Sequence, residues 1–386
     1  MRAEFLPGNR LTLLETGTAF FPALRAAIDG AQRELYLETY IFEDDETGRQ
    51  IAAALSRAAR RGVSVRLLVD GFGARAFPAR LMPALEADGV HVLIYRPELA
   101  PFRLRRHRLR RLHRKLAIAD ARIAFVGGIN VVDDSITPGQ TPPRYDFAVR
   151  IEGPLLATIH AAVRQMWERV AWASFRRRPR PSESPPPIVA KCGSVTAAFL
   201  IRDNLRHRRD IEDAYLDAIV SATDEIILAS AYFLPGLRFR RALLDAARRG
   251  VKVAILLQGR VEYALLHYAT QALYGALLAG GIHIHEYRRS FLHAKVAVID
   301  GHWATVGSSN IDPFSLLLAR EANVVVRDGG FAGNLRTSLH AAMAGGAEEL
   351  KPAEWTCKPW YLRTAHWFAY GVVRLLIGIA GYGGKH

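Results

Sequence analysis

The chain has 386 residues, half of them hydrophobic, with 31 glycines and 19 prolines, which excludes a disulfide miniprotein, a disordered tail or a fibrous repeat and leaves one large or two medium domains. Fifty-two lysines and arginines against 37 aspartates and glutamates give a net charge of +15, so a polyanionic partner is expected, and nucleic acid and an anionic membrane surface both fit. The two cysteines, Cys192 and Cys357, lie far apart with no Cys-x-x-Cys pattern; this suggests neither a zinc site nor a disulfide framework and favours a reducing compartment.

Met1 to Arg10 contains charges and a Pro7-Gly8 turn instead of an apolar run, so no secretory signal is expected. A helical pattern then leads into the apolar strand Glu34 to Phe42. A second helical pattern follows, closed by Arg60-Arg61-Gly62, and then the apolar strand Val63 to Leu68. Gly89-Val90-His91-Val92 opens a further strand. The same order returns as Glu225 to Phe233, a helix closed by Arg248-Arg249-Gly250, Val251 to Leu256, and Gly281-Ile282-His283-Ile284. Such alternation predicts an α/β fold of two similar domains, each a sheet flanked by helices, related by internal duplication. Residues 1–175 form the first domain in this reading and 191–350 the second. The Arg- and Pro-rich stretch at 176–190 reads as a linker between them.

Residues 351–386 form an aromatic and basic C-terminal segment. Nowhere do about 18 uncharged apolar residues run together, which argues against a membrane-spanning helix. The nearest approach, Trp367 to Tyr382, is broken by Arg374 and by glycines. Two readings stand for it: an interfacial segment anchored by Trp355, Trp360, Tyr361, Trp367 and Tyr370, with Lys358, Arg363 and Arg374 toward headgroups, or a helix packed on the protein's own core.

The chemistry lies in a repeated motif. His113, Lys115, Asp120, Gly127 and Asn130 recur as His293, Lys295, Asp300, Gly307 and Asn310, each 180 positions later. On a strand, residues i and i+2 share a face, so each histidine emerges beside a lysine, while Asn130 and Asn310 offer neutral donors to an oxyanion. A phosphodiester needs this set: positive charge and donors on its non-bridging oxygens, a nucleophile on one side and an acid on the leaving oxygen opposite. Two copies supply two imidazoles, one to attack and one to protonate, in a site shared between the domains.

The paired H-x-K-x4-D-x6-G-[GS]-x-N motifs resemble those of the phospholipase D superfamily. Asp70 to Gly73, Tyr145 to Pro154, His302 to Pro313 and Arg320 to Asn323 extend the similarity over most of the chain, toward bacterial cardiolipin synthases of the B type, which lack N-terminal membrane helices. The resemblance implies a two-step phosphatidyl transfer between two phosphatidylglycerol molecules through a phosphohistidine, without metal or cofactor, at the cytoplasmic face of a bacterial membrane. By the superfamily's usual order His113 is the nucleophile and His293 the acid and base, although the symmetry of the sequence does not separate them. Asp120 and Asp300 are expected to support the histidines from beneath, fixing tautomer and charge. Ser308 is expected to contact phosphate, and Gly128, its counterpart, to weaken that contact in the first half. Asp146 and Glu321, at comparable places after each motif, are either partners of the histidines or ordinary ion-pair residues.

The run Arg103 to Arg111 leads into His113 and reads as a docking patch for anionic headgroups, although nucleic-acid phosphates would be held by the same residues. Tyr40, Phe42, Tyr232 and Phe233 line a substrate channel or belong to the core. A hydrolase of phospholipid or nucleic acid is the alternative activity, with the nuclease reading weakened by the aromatic C-terminus. A non-catalytic polyanion-binding protein is disfavoured by two intact motifs. The sequence leaves an accessory subunit open.

Overall fold

A computed structural model describes residues 3–97, 110–137, 141–174, 186–203, 206–313, 315, 318–356 and 359–377. In the first half the strands are β1 (Leu6–Glu15), β2 (Glu34–Thr39), β3 (Ser64–Asp70), β4 (His91–Tyr95), β5 (Lys115–Ala119), β6 (Ile123–Gly127) and β7 (Phe147–Glu152). In the second they are β8 (Val195–Arg202), β9 (Glu225–Ser230), β10 (Lys252–Gln258), β11 (His283–Tyr287), β12 (Lys295–Ile299), β13 (Trp303–Gly307), β14 (Glu321–Arg327) and β15 (Ala347–Glu349). They make one continuous sheet in the order β15-β11-β10-β9-β12-β13-β14-β8-β1-β7-β6-β5-β2-β3-β4. The predicted duplicated α/β architecture is present: β2, β3 and β4 run parallel, as do β9, β10 and β11, and each set continues into an antiparallel β5-β6-β7 or β12-β13-β14 meander.

The strands that join the halves, β1 and β8, pair antiparallel and escape the sequence reading, because Pro7-Gly8 looks like a turn. Asn9, fully buried, holds the seam. Its amide nitrogen donates to the Leu6 carbonyl (2.6 Å) and the Val195 carbonyl (3.3 Å), and its oxygen accepts the Leu155 N–H (2.8 Å). Of the expected linker, the described residues 186–190 include Ile188, whose N–H donates to the Ala121 carbonyl (3.1 Å).

Arg-Arg-Gly recurs for a local reason. Gly62 (φ +88°) and Gly250 (φ +93°) take the left-handed conformation that ends a helix. The arginine before each glycine reaches back to the carbonyls that close the preceding helix: Arg61 to Ile28, Asp29 and Ala31, and Arg249 to Ile219, Val220 and Ala222. At a helix C-terminus such carbonyls lack the usual partner one turn on; here Ile28 and Ile219 also accept the N–H of Ala31 and Ala222.

Each half has an apolar cluster under its own helices, Ile28, Leu55 and Val65 in one and Ile226, Leu243 and Ile255 in the other. A third cluster, with Val126, Val149, Val306 and Val324, belongs to both. Burying it fixes the two meanders against each other, and with them the strand ends that carry the motifs.

Candidate active site

Lys115 and Lys295 are the first residues of β5 and β12, so each His-x-Lys sits where a buried strand begins. The segment before each histidine pairs with the other half. Leu112 bridges Arg320 in parallel, and the His113 N–H donates to the Arg320 carbonyl (2.9 Å). Tyr145 bridges Leu292, and the His293 N–H donates to the Tyr145 carbonyl (2.8 Å). Arg320 and Tyr145 each precede an acid, and that acid turns onto the histidine whose backbone it flanks.

His113 Nδ1 lies 3.0 and 3.1 Å from the two carboxylate oxygens of Glu321, and His293 Nδ1 lies 2.6 Å from Asp146 Oδ2. The carboxylates are buried, while the imidazoles keep 17 % and 18 % of their side-chain surface open. A carboxylate facing Nδ1 selects the tautomer with hydrogen on Nδ1 and leaves the Nε2 lone pair free. Each histidine is thus oriented by an acid of the opposite half, so neither half holds a complete site. The acid before an apolar strand, 16 residues after Asn130 and 11 after Asn310, was the visible signal, and the ambiguity over Asp146 and Glu321 resolves in favour of histidine partners.

The lysines lie beneath. Lys115 Nζ donates to the His113 carbonyl (2.7 Å), Lys295 Nζ to the His293 carbonyl, and Lys295 Nζ stands 3.7 Å from Asp146 Oδ2. Burial depresses Lys115 to about 7, with Lys295 adding to the effect and Glu321 opposing it. Burial likewise lowers Lys295, against Asp146 and Glu321. Both histidines are held neutral: burial lowers His113 against the pull of Glu321, and burial with Lys295 takes His293 down to about 3. Burial alone would raise Asp146, but Lys295 and His293 bring it below the usual carboxylate range. The site therefore contains buried, under-compensated cations, and a bound anion would relieve them.

Two expectations need correction. Asp120 and Asp300 do not support the histidines: they lie at the far ends of β5 and β12, about 16 Å along the strand from the lysines. Asp120 accepts the N–H groups of Gln32, Arg33 and Glu34 (2.8, 2.8 and 3.0 Å), and Asp300 those of Thr223, Asp224 and Glu225 (each 2.9 Å). These aspartates stitch the β5-β6 and β12-β13 turns to the starts of β2 and β9. Ser308 is not a phosphate ligand either. Its hydroxyl, fully buried, donates to Glu321 Oε2 (2.5 Å) and accepts the Ala322 N–H (3.0 Å), bracing the acid that holds His113. Gly128 removes no phosphate contact; a Cβ there would stand 2.3 Å from Asp146 Oδ1, so glycine makes room for the shorter acid.

Asn130 accepts the Ile41 N–H (3.1 Å) on its side-chain oxygen, which leaves its NH2 group to donate. Asn310 is buried, and its side-chain oxygen has no hydrogen-bond partner among the described residues. Tyr40 packs edge-on against His113 (ring centroids 4.9 Å apart) and under Lys115 (5.4 Å), while Phe42 and Phe233 are core. Positions 103–109 of the basic run lie outside the described residues. Arg111 is described, 3.7 Å from the buried Asp70 and over the ring of Phe72.

A family described as "Cardiolipin synthase, PLD-like domain" matches residues 24–168 and 215–343, one span around each motif. The chain belongs to this family. It is 37 % identical to cardiolipin synthase B of Escherichia coli (strain K12), covering 99 % of this chain and 92 % of that protein, and 30 % identical to a cardiolipin synthase of Geobacillus kaustophilus, over 82 % and 62 %. Among solved structures it resembles a phosphatidylserine synthase of Haemophilus influenzae (TM-score 0.72, 14 % identity, 96 % of each chain) and, in fold, a polyphosphate kinase of Porphyromonas gingivalis (TM-score 0.59, 14 % identity, 89 % of this chain and 49 % of that one). The family and these relatives mark the chain as an enzyme of the phospholipid phosphatidyltransferase type.

Proposed function

We propose that the enzyme joins two phosphatidylglycerol molecules into cardiolipin and glycerol, with His113 as nucleophile. The observation that carries this is the crossed pair of imidazoles, each with a carboxylate of the other half on Nδ1, above the buried ammonium groups of Lys115 and Lys295. His113 Nε2 attacks phosphorus, the P–O bond to glycerol breaks, and the departing oxygen takes a proton from His293. The second phosphatidylglycerol then gives its hydroxyl proton to His293, its oxygen attacks phosphorus, and the P–N bond breaks to restore His113. His293 takes up the first proton as the phosphodiester binds, because burial and Lys295 keep it neutral in the free enzyme, and it releases the proton gained from the acceptor to solvent when the product leaves. The phosphodiester anion between the lysines supplies the counter-charge that lets His293 hold that proton.

The C-terminal segment supports work at a lipid surface. Its helix, Trp360–Ile377, packs on the helix Ala264–Ala279 through His366, Ala369 and Val373, all buried, while Trp360, Tyr361, Trp367, Phe368, Leu375 and Leu376 face outward. The inner face belongs to the core, and Trp355, one of the expected anchors, is buried with it against Tyr274 and His366; the outer face has the amphipathic aromatic character that supports the interfacial reading. No helix among the described residues is long and apolar enough to cross a membrane. In this reading the enzyme sits peripherally on the anionic cytoplasmic face.

Incubation with labelled phosphatidylglycerol vesicles tests the reaction. Cardiolipin as the main product supports it; phosphatidic acid alone would make the enzyme a hydrolase. Vesicle binding that requires anionic lipid and weakens with salt supports the surface, whereas equal binding to zwitterionic vesicles in high salt would refute it.

A further inference from the structure

Arg111 stands two residues before His113 on one extended run. The Arg320 N–H donates to the Arg111 carbonyl (2.7 Å) and the His113 N–H to the Arg320 carbonyl (2.9 Å), one bond on each side of the fully buried Leu112. Leu112 therefore turns into the core, while Arg111, His113 and Lys115 share the opposite face at steps of roughly 7 Å. Arg111 is the next cation beyond the histidine, on the side away from Lys115.

The turn after β3 adds a second guanidinium. Phe72 is 40 % exposed, and its ring takes Arg75 at 4.2 Å and Arg111 at 4.8 Å from its centre. Asp70 anchors this turn by accepting the N–H groups of Phe72, Gly73 and Leu112 (2.8, 3.2 and 2.8 Å), and Arg111 stands 3.7 Å from it. Arg75 is exposed and makes no ion pair among the described residues. The turn closes on the site through Tyr40, the residue against His113: a Cβ on Gly73 would stand 2.3 Å from the Tyr40 carbonyl oxygen. Further arginines gather here. Arg96 donates to the Arg110 carbonyl (3.3 Å), and its guanidinium is lowered chiefly by burial, with the charges of Arg110, Arg320 and Arg111 adding and Tyr95 opposing. A bound anion relieves such crowding of like charge.

The second half is built differently. Phe291 holds the place of Arg111, 180 positions on, with its ring stacked on His293 (6.1 Å). The basic side chains on that side, Arg144 and Arg260, turn to the backbone carbonyls of Ile136 and Arg288 (3.3 Å each), and Tyr232 donates to a carboxylate, Glu262. An anion beside the histidines is therefore drawn to the first half.

Cardiolipin formation brings two phosphodiesters into one site, the one transferred and the one the acceptor lipid already carries. A glycerol bridge of six bonds joins their phosphorus atoms in the product, a span comparable to the roughly 7 Å between alternate residues of a strand. With the transferred group at the histidines, the second falls within reach of Arg111. Guanidinium suits it, because its planar fork donates to two phosphate oxygens at once.

We propose that Arg111 and Arg75, held on Phe72, form a second phosphodiester site that binds the acceptor phosphatidylglycerol by its own phosphate while its glycerol hydroxyl reacts at the histidines. The assignment rests on the phosphatidyl-transfer reading above and gives that reading its selectivity, since an alcohol that carries a phosphodiester is held where a neutral one is not.

The experiment sets two acceptors against each other for one donor. Labelled phosphatidylglycerol vesicles are supplied with ethanol, so that transfer to lipid gives cardiolipin and transfer to ethanol gives phosphatidylethanol. Arg75→Gln combined with Arg111→Gln is expected to lower the cardiolipin-to-phosphatidylethanol ratio about tenfold, because the charge-assisted bonds removed are made to the lipid acceptor alone. Both products draw on the same donor in the same vesicle, so weaker adsorption to the surface lowers them together. An unchanged ratio therefore overturns the proposal and leaves these arginines a role in surface docking. Should the double variant fail to fold, Arg75→Gln alone, at an exposed position, decides by the same ratio, with a fall of about threefold expected. A wild-type protein that yields only phosphatidic acid removes the transfer reading itself, an outcome distinct from a changed ratio in a variant.

Discussion

Around His113 the second half contributes Glu321, whose longer side chain is braced by the Ser308 hydroxyl. Around His293 the first half contributes Asp146, and glycine stands at 128 where the serine would be. Serine with glutamate and glycine with aspartate are therefore two fillings of one space, each delivering a carboxylate to Nδ1. The surroundings diverge further: the first half packs Tyr40 against its histidine, where the second has Ala231 at the matching position. Duplication supplied two equivalent imidazoles, and their surroundings are no longer equivalent.

The largest test removes either imidazole. His113→Ala and His293→Ala should each lower turnover by at least about 10⁴-fold while the protein stays folded, since both side chains sit at an open site and not in the core. Acid-labile label from phospholipid should collect on His113 in the His293→Ala protein and be absent from His113→Ala. Label trapped on His293 would exchange the two roles.

Next come the acids. Asp146→Asn and Glu321→Gln keep shape but no longer select the Nδ1–H tautomer, and a loss of about 10² to 10⁴-fold is expected from each. Asp120→Asn removes a charged acceptor of three backbone N–H groups; it should lower the melting temperature while turnover per folded molecule stays near wild type. If Asp120→Asn cost as much turnover as Asp146→Asn, the crossed-carboxylate arrangement would be wrong.

The fillings themselves can be challenged. Gly128→Ala drives a methyl group into the Asp146 carboxylate and should approach the loss of Asp146→Asn, whereas Ser308→Ala leaves Glu321 on His113 and should cost only about tenfold. Turnover of the two purified variants on the same vesicles measures the difference. Equal small effects would mean that Asp146 can shift without consequence.

Much of this was legible in the chain. The 180-residue repeat exposed the duplicated α/β halves and placed both histidines and lysines, because burial forces regular apolar strands and a strand fixes which side chains share a face. What stayed hidden is set partly by the geometry of single strands and partly by contacts between the halves. Asp120 and Asp300 stand five residues from a lysine in sequence, yet an extended strand carries them away from it. Asp146 and Glu321 are 147 and 208 residues from the histidines they hold, a relation that periodicity does not encode. The seam strands β1 and β8 were missed because Pro7-Gly8 marks a turn locally, and their pairing is imposed by the other half.

The smallest expected effect separates the charges of the site by pH. In the free enzyme Lys115 titrates near 7, pushed down chiefly by burial, while His293 is lowered to about 3 and His113 below its ordinary value. A lysine neutralises as pH rises, so the cation that receives the phosphodiester fades above about 7; both histidines are shifted below their ordinary value, chiefly by burial, so no step is expected at the usual histidine pKa. Thus kcat/KM, which reports the free enzyme, should fall roughly tenfold between pH 6 and pH 8 and show no acid limb near 6.5. Lys115→Arg, which does not deprotonate in this range, should remove the alkaline fall even if its absolute rate is lower. A profile that instead rises through 6.5 to a plateau at pH 8 would mean that a histidine of ordinary pKa limits the reaction and that the lysines keep their charge, and the first-half lysine would then lose the separate role its burial gives it.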